Sequence, residues 1–142
     1  MEKHCFTTEL AASLLKCGWS IRLRVSGWSM KPLLKSGCLV RIAPLQEIPQ
    51  VGDIVLCRTN SNRLVSHRVV AASSGSIRTK GDACSQADGV VEQKQILGRV
   101  ISVEKPVFIP LTGRAARWAG RVLSRFYPKL VKMKMSVLGG TA

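Results

Sequence analysis

Between Ile21 and Val103 no apolar run lasts long before a turn residue cuts it, with Gly27, Pro32, Gly37, Pro49, Gly52 and Gly75 among the breaks. Helices of ordinary length do not fit between such breaks, whereas short strands do. Ile21, Leu23 and Val25 alternate with Arg22 and Arg24, the pattern of a half-buried strand. Cys38 to Ile42 follows the turn signal Ser36-Gly37, and Ile54 to Arg58 follows Pro49 to Asp53. The polar run Thr59-Asn60-Ser61-Asn62 separates that strand from Leu64 to Val70, which predicts a hairpin. Ser73-Ser74-Gly75 turns the chain into Ser76 to Thr79, a Gly-rich loop runs from Lys80 to Gly89, and a last strand is predicted near Ile96 to Val103. The expected fold class is mainly β, a compact and mostly antiparallel domain.

The two ends differ from this middle. Thr7-Thr8-Glu9 offers a cap and an acidic first turn for a short N-terminal helix, with Leu10, Ala11, Leu14 and Leu15 as its apolar stripe and Gly18 as its stop. From Lys105 onward there is no acidic residue. Arg114, Arg117, Arg121 and Arg125 recur there at helical spacing, and Ala115, Trp118, Ala119, Val122 and Phe126 fall on a neighbouring arc. This predicts a basic amphipathic helix broken near Pro128, with Lys129, Lys132 and Lys134 carrying the charge on. The chain divides accordingly into a β domain, 1–104, and a basic tail, 105–142.

A charge of +14 on 142 residues draws such a chain to polyanions, and 46% hydrophobic residues with a mean hydropathy of +0.13 mark it as globular rather than disordered. The five cysteines are scattered without a C-x-x-C pair, and there are two histidines. That excludes the usual zinc spacings and a disulfide framework, so no metal and no cofactor is expected and Cys38 and Cys57 read as core residues. No apolar stretch reaches the roughly 18–20 residues of a spanning helix, and Met1-Glu2-Lys3-His4 does not open a secretory signal. The expectation is a cytoplasmic protein whose route to a bilayer would be peripheral, through residues 113–135 on an anionic membrane surface.

Chemistry gathers at Val25-Ser26-Gly27-Trp28-Ser29-Met30-Lys31-Pro32, where a hydroxyl follows a Gly on a tight turn behind a strand. A nucleophilic serine needs that setting, with free backbone N–H groups beside it for a developing oxyanion. The bases on offer are His4, His67 and lysines, and His67 lies inside a strand whose packing would fix its direction. Asp82 and Asp88 share the Gly-rich loop, and either could hold an imidazole in the right tautomer.

Taken in order, Ser26 to Pro32, Gly52-Asp53-Ile54-Val55, His67-Arg68-Val69 and Lys80-Gly81-Asp82 resemble the boxes of type I signal peptidases. The wider group includes LexA-type self-cleaving repressors, which Leu23 to Lys31 also resembles. The resemblance spans roughly residues 20 to 103 and implies a coiled antiparallel β fold and a serine endopeptidase acting on a precursor or leader peptide. Most members pair the Ser with a Lys; His67 stands at that position, as in the endoplasmic-reticulum and archaeal type. It implies Ser29 as nucleophile, His67 as general base, Asp88 as triad acid and Asp82 in support. Ser26 and Gly27 would shape the oxyanion and substrate site, and Met30 would help line the substrate pocket. The loop departs from the family in reading Gly81-Asp82-Ala83-Cys84 where Asn usually follows the Asp.

The expected partner is a peptide or precursor-protein substrate added as a strand beside the serine box. Two other readings stand beside it. One is a relative that binds peptides without cutting them. The other is a binder of nucleic acid or anionic membrane acting through the basic tail; specific nucleic-acid recognition is not expected, because the stretch before Ser29 has no room for a helix-turn-helix. A tail helix packed on the β domain through its apolar arc is the plain alternative.

Overall fold

A computed structural model describes residues 2–139, with side chains over 7–132; Met1 and residues 140–142, and the side chains of His4 and Lys134 named above, lie outside that range. The order is α1 (Glu2–Lys16), β1 (Ile21–Arg24), β2 (Leu39–Pro44), β3 (Ile54–Arg58), β4 (Leu64–Ser73), β5 (Ser76–Lys80), β6 (Val90–Val91), β7 (Ile96–Lys105), β8 (Ile109–Pro110) and α2 (Arg114–Gly139). The strands form one sheet in the order β1-β2-β7-β3-β4-β5-β6, with β8 on β7, and every pairing is antiparallel. The mainly β class and the β3–β4 hairpin stand as expected; β6 and β8 are too short to show a period.

The centre of the sheet is β3, and it is buried on both faces. Successive strand side chains point to opposite sides. Ile54 and Leu56 therefore join one core with Leu15, Leu34, Val40, Ile42, Val100 and Val103, while Val55 and Cys57 join a second with Val69, Ile77 and Ile96. Double-sided burial explains why β3 is an uninterrupted apolar run rather than an alternating one. Breaks in register between β2 and β7, β3 and β7, and β4 and β5 let the sheet bend around these two cores.

Four expectations at the ends are corrected. Helix α1 begins at Glu2, so Thr7 and Thr8 sit within it rather than capping it; the buried Thr8 hydroxyl instead donates to the Asn62 carbonyl at the hairpin turn, 3.2 Å away. Its stop is as read: Gly18 takes a positive φ while Gly18 N–H bonds Leu15 and Trp19 N–H bonds Leu14, satisfying two terminal carbonyls. Of the expected stripe, Ala11 and Leu15 are buried and Leu10 and Leu14 are exposed.

Helix α2 does not break at Pro128 but runs through it, and it docks on the sheet by a face other than its apolar arc. Gly120, Ser124 and Pro128 are its buried positions, whereas Trp118, Val122 and Phe126 are exposed. Arg117 on the inward side gives its Nε–H to Asp53 Oδ1 at 2.8 Å. At Gly52 the backbone has φ +101° and an added Cβ would lie 2.7 Å from the Arg117 carbonyl oxygen. At Gly120 an added Cβ would lie 1.9 Å from Nη1 of Arg68. Both glycines are where two backbones, or a backbone and a guanidinium, must come close. Among the described residues no helix is long and apolar enough to cross a membrane.

The Arg68 guanidinium cannot retreat, because it holds both oxygens of Asp82 and the Gly52 carbonyl. Gly120→Ala therefore overpacks this seam. The helix propensity gained is at most about 1 kcal/mol, and the clash costs about 1–3 kcal/mol. Urea denaturation is expected to show a lower midpoint for Gly120→Ala; an unchanged or higher midpoint would mean that α2 does not seat here.

Candidate active site

The sheet order sets the puzzle of the site. Ser29 follows β1 at one edge, whereas His67 lies on β4 and Asp88 precedes β6 at the other end. They meet because the sheet coils until the turn after β1 touches the loop after β5. The Ala83 N–H bonds the Ser29 carbonyl at 2.8 Å. At Gly81 an added Cβ would be 2.7 Å from that same carbonyl oxygen and 3.0 Å from the Ser29 Cβ. Only a residue without a side chain lets the two segments come this close.

Across the contact, Ser29 Oγ lies 3.1 Å from His67 Nε2, and His67 Nδ1 lies 2.5 Å from Asp88 Oδ2. With the ring proton on Nδ1 donating to the carboxylate, Nε2 is left as the acceptor for the Ser29 hydroxyl. Asp88 is anchored from β5: its N–H bonds the Thr79 carbonyl at 2.8 Å and its Oδ2 accepts from Thr79 Oγ1 at 2.7 Å. The sequence reading missed Thr79. The signal it offered was alternation: Ile77 and Thr79 are the inward positions of β5, so Thr79 is a buried hydroxyl that needs a partner.

The two loop aspartates face different partners. Asp82 is fully buried and forms a bidentate pair with Arg68 at 2.8 and 2.7 Å. Both its oxygens face that guanidinium, so it ties the loop to β4 while Asp88 takes the imidazole. His67 and Arg68, being consecutive on a strand, point to opposite faces, and the loop wraps the edge to reach both. Ser26 and Gly27 sit exposed before Ser29, Gly27 with φ +96°. The Ser29 N–H has no hydrogen-bond partner among the described residues. Met30, expected at the substrate pocket, is buried in the first core at 3% exposure and supports the turn from beneath.

Lys80 closes the back of the loop. Its ammonium donates to the carbonyls of Gly81 at 3.1 Å, Cys84 at 2.8 Å and Ser124 at 2.8 Å. The last is a helix carbonyl that would ordinarily accept from the N–H four residues on, and that residue is Pro128, which has none. The proline in mid-helix thus frees the acceptor that Lys80 uses. Burial lowers the pKa of Lys80, with Asp82 pulling the other way.

A cavity of about 350 Å³ opens beside His67 and Asp88, with Cys57, Val65 and Val90 in its wall. Burial, with a smaller contribution from Asp88, pushes the Cys57 thiol up to about 12. No protein-family model matches the chain, and no curated protein matches it.

Two measurements follow from this packing. At pH 8 a thiol with a pKa of about 12 is ionised in only about one molecule in ten thousand, so iodoacetamide should modify the exposed Cys17 and spare Cys57 until urea is added. Equal labelling of both in the native protein would contradict the burial. Pro128→Ala restores a helical N–H that competes with Lys80 for the Ser124 carbonyl. The melting temperature is expected to rise while amide exchange in residues 81–88 speeds up; a loop that exchanges no faster would uncouple it from α2.

Proposed function

We propose that the protein is a serine endopeptidase of the signal peptidase type, cutting an extended precursor or leader peptide. The observation that carries this is the unbroken Ser29–His67–Asp88 chain of contacts, 3.1 and 2.5 Å long, assembled from opposite ends of the sheet. Ser29 Oγ attacks the scissile carbonyl carbon while His67 Nε2 takes its proton, and Asp88 stabilises the imidazolium that forms. The free Ser29 N–H donates to the oxyanion. The imidazolium then protonates the leaving amine, and water, deprotonated by the same nitrogen, releases the acyl group from Ser29.

Several further features support the reading. Among the described residues strand β1 pairs with β2 alone, at the end of the strand order, so its other edge can take an added strand that leads toward Ser29. Glu104 holds that edge strand in place by bridging Arg22 of β1 and Arg41 of β2, and the hydrogen bond from Arg41 keeps its carboxyl below the usual range. The antiparallel sheet supports the reading at the level of its mainly β class.

Comparison of the peptides in cells carrying the natural protein and Ser29→Ala is the deciding experiment. A precursor should accumulate uncut with Ser29→Ala and with His67→Ala, and purified variants should lose at least about 10³-fold in rate on it. Gly81→Ala, which pushes the turn away from His67, should cost at least about 10²-fold in rate and also lower the urea midpoint, because the same contact closes the fold. Equal cleavage by Ser29→Ala would end the proposal, and a peptide that is bound but never cut would favour the non-catalytic relative.

A further inference from the structure

Helix α2 presents two unlike faces. Its docked face is built from small groups, Gly120, Ser124 and Pro128. At about 100° per residue, Trp118, Val122, Phe126 and Leu130 follow one another on the far side. Trp118 is 67% exposed, Phe126 50% and Leu130 60%. Large apolar side chains gathered on one exposed arc mark a surface that is covered in use. Along one border of the arc run Arg114, Arg121, Arg125 and Lys129, all exposed.

A second observation lies at that border. A cavity of about 530 Å³ opens between α2 and β4, with Val51, Val69 and Val70 on the sheet side and Arg121, Arg125 and the near edges of Trp118, Val122 and Phe126 on the helix side. Ser124 also lines it, and its buried hydroxyl has no hydrogen-bond partner. A buried hydroxyl without a partner, in a cavity that two arginines also line, is a place suited to an anionic oxygen.

We propose that the outer face of α2 docks on an anionic phospholipid surface. Trp118, Val122 and Phe126 enter the boundary between headgroups and acyl chains, and Arg121 and Arg125 take headgroup phosphates at the cavity mouth. Charge and shape favour a bilayer over a peptide. The basic border meets no carboxylate anywhere from Lys105 onward, which suits a continuous field of phosphates. The apolar arc also continues to Leu130, beyond the cavity lining, where a groove-bound peptide would have no second wall. Arg117, Gly120 and Ser124 on the inner face tie the helix to the sheet and its loop, so the outer face can enter lipid without breaking those ties.

The docking does not involve Ser29 and stands apart from the proposed peptidase activity. The test uses the full chain carrying Ser29→Ala, so that binding is read whether or not the protein cuts peptides. Co-sedimentation is measured with vesicles of equal parts phosphatidylglycerol and phosphatidylcholine, with pure phosphatidylcholine vesicles, and with a short DNA duplex. Binding to the anionic vesicles should be at least about tenfold stronger than to the neutral ones and should weaken as salt is raised. Trp118→Ala with Phe126→Ala should weaken it by at least about tenfold while circular dichroism stays unchanged. Arg121→Gln with Arg125→Gln should remove the preference for anionic lipid. The proposal is overturned if the vesicles are not distinguished, if the aromatic variant binds as the parent does, or if only the DNA duplex gives a salt-sensitive complex.

Discussion

The approach of Gly81 to the Ser29 turn is the constraint on which the molecule depends. A sheet whose strand order runs from β1 to β6 would hold its two ends apart if it lay flat. Coiling closes that gap only if the two loops can touch, and a Cβ on Gly81 would fill the space that the Ser29 carbonyl occupies. Once the contact forms, the Ala83 N–H locks it and the Ser29 hydroxyl comes within 3.1 Å of an imidazole fixed on β4. The fold's closure and the site's geometry are therefore one event.

Much of this was legible in the residues, and for identifiable reasons. Alternation and turn residues located β1, β2, β3, β4, β5 and β7, because half-buried strands print their period on the sequence. The run Ile54 to Cys57 is the strand that two cores share, and it reads as continuous for that reason. Ser29, His67 and Asp88 could be picked out because their order matched a resemblance; singly, the Ser and the Asp read as ordinary turn residues and the His as a satisfied strand residue. Less legible were features set by tertiary contact alone. Thr8 looked like a cap, but its hydroxyl serves the hairpin turn at Asn62. Met30 sat among chemical residues and belongs to the core.

Helix α2 shows the same limit more sharply. An apolar arc is ordinarily the face that packs, and here the packing face is the one with least side chain. The reason lies in what it packs against: a guanidinium at Gly120 and an ammonium at the Ser124 carbonyl, both of which need room and backbone oxygen rather than hydrocarbon. Pro128 read as a break because a missing N–H ordinarily weakens a helix. Lys80 takes up the carbonyl thereby freed, so the defect in the helix becomes a joint with the loop.

Strand β4 and its loop then carry two functions on two faces. His67 points to the site and Arg68 to the helix, and the loop answers each with its own aspartate, Asp88 and Asp82. Lys80 adds a third tie from the root of the loop to α2. A displacement of α2 acts on Asp53 through Arg117, on Arg68 at Gly120 and on Lys80 at the Ser124 carbonyl, and the last two hold the segment from which Asp88 reaches the imidazole. The helix is thus the back wall of the site rather than an appendage, and its outer face is the part of that wall left open to a surface.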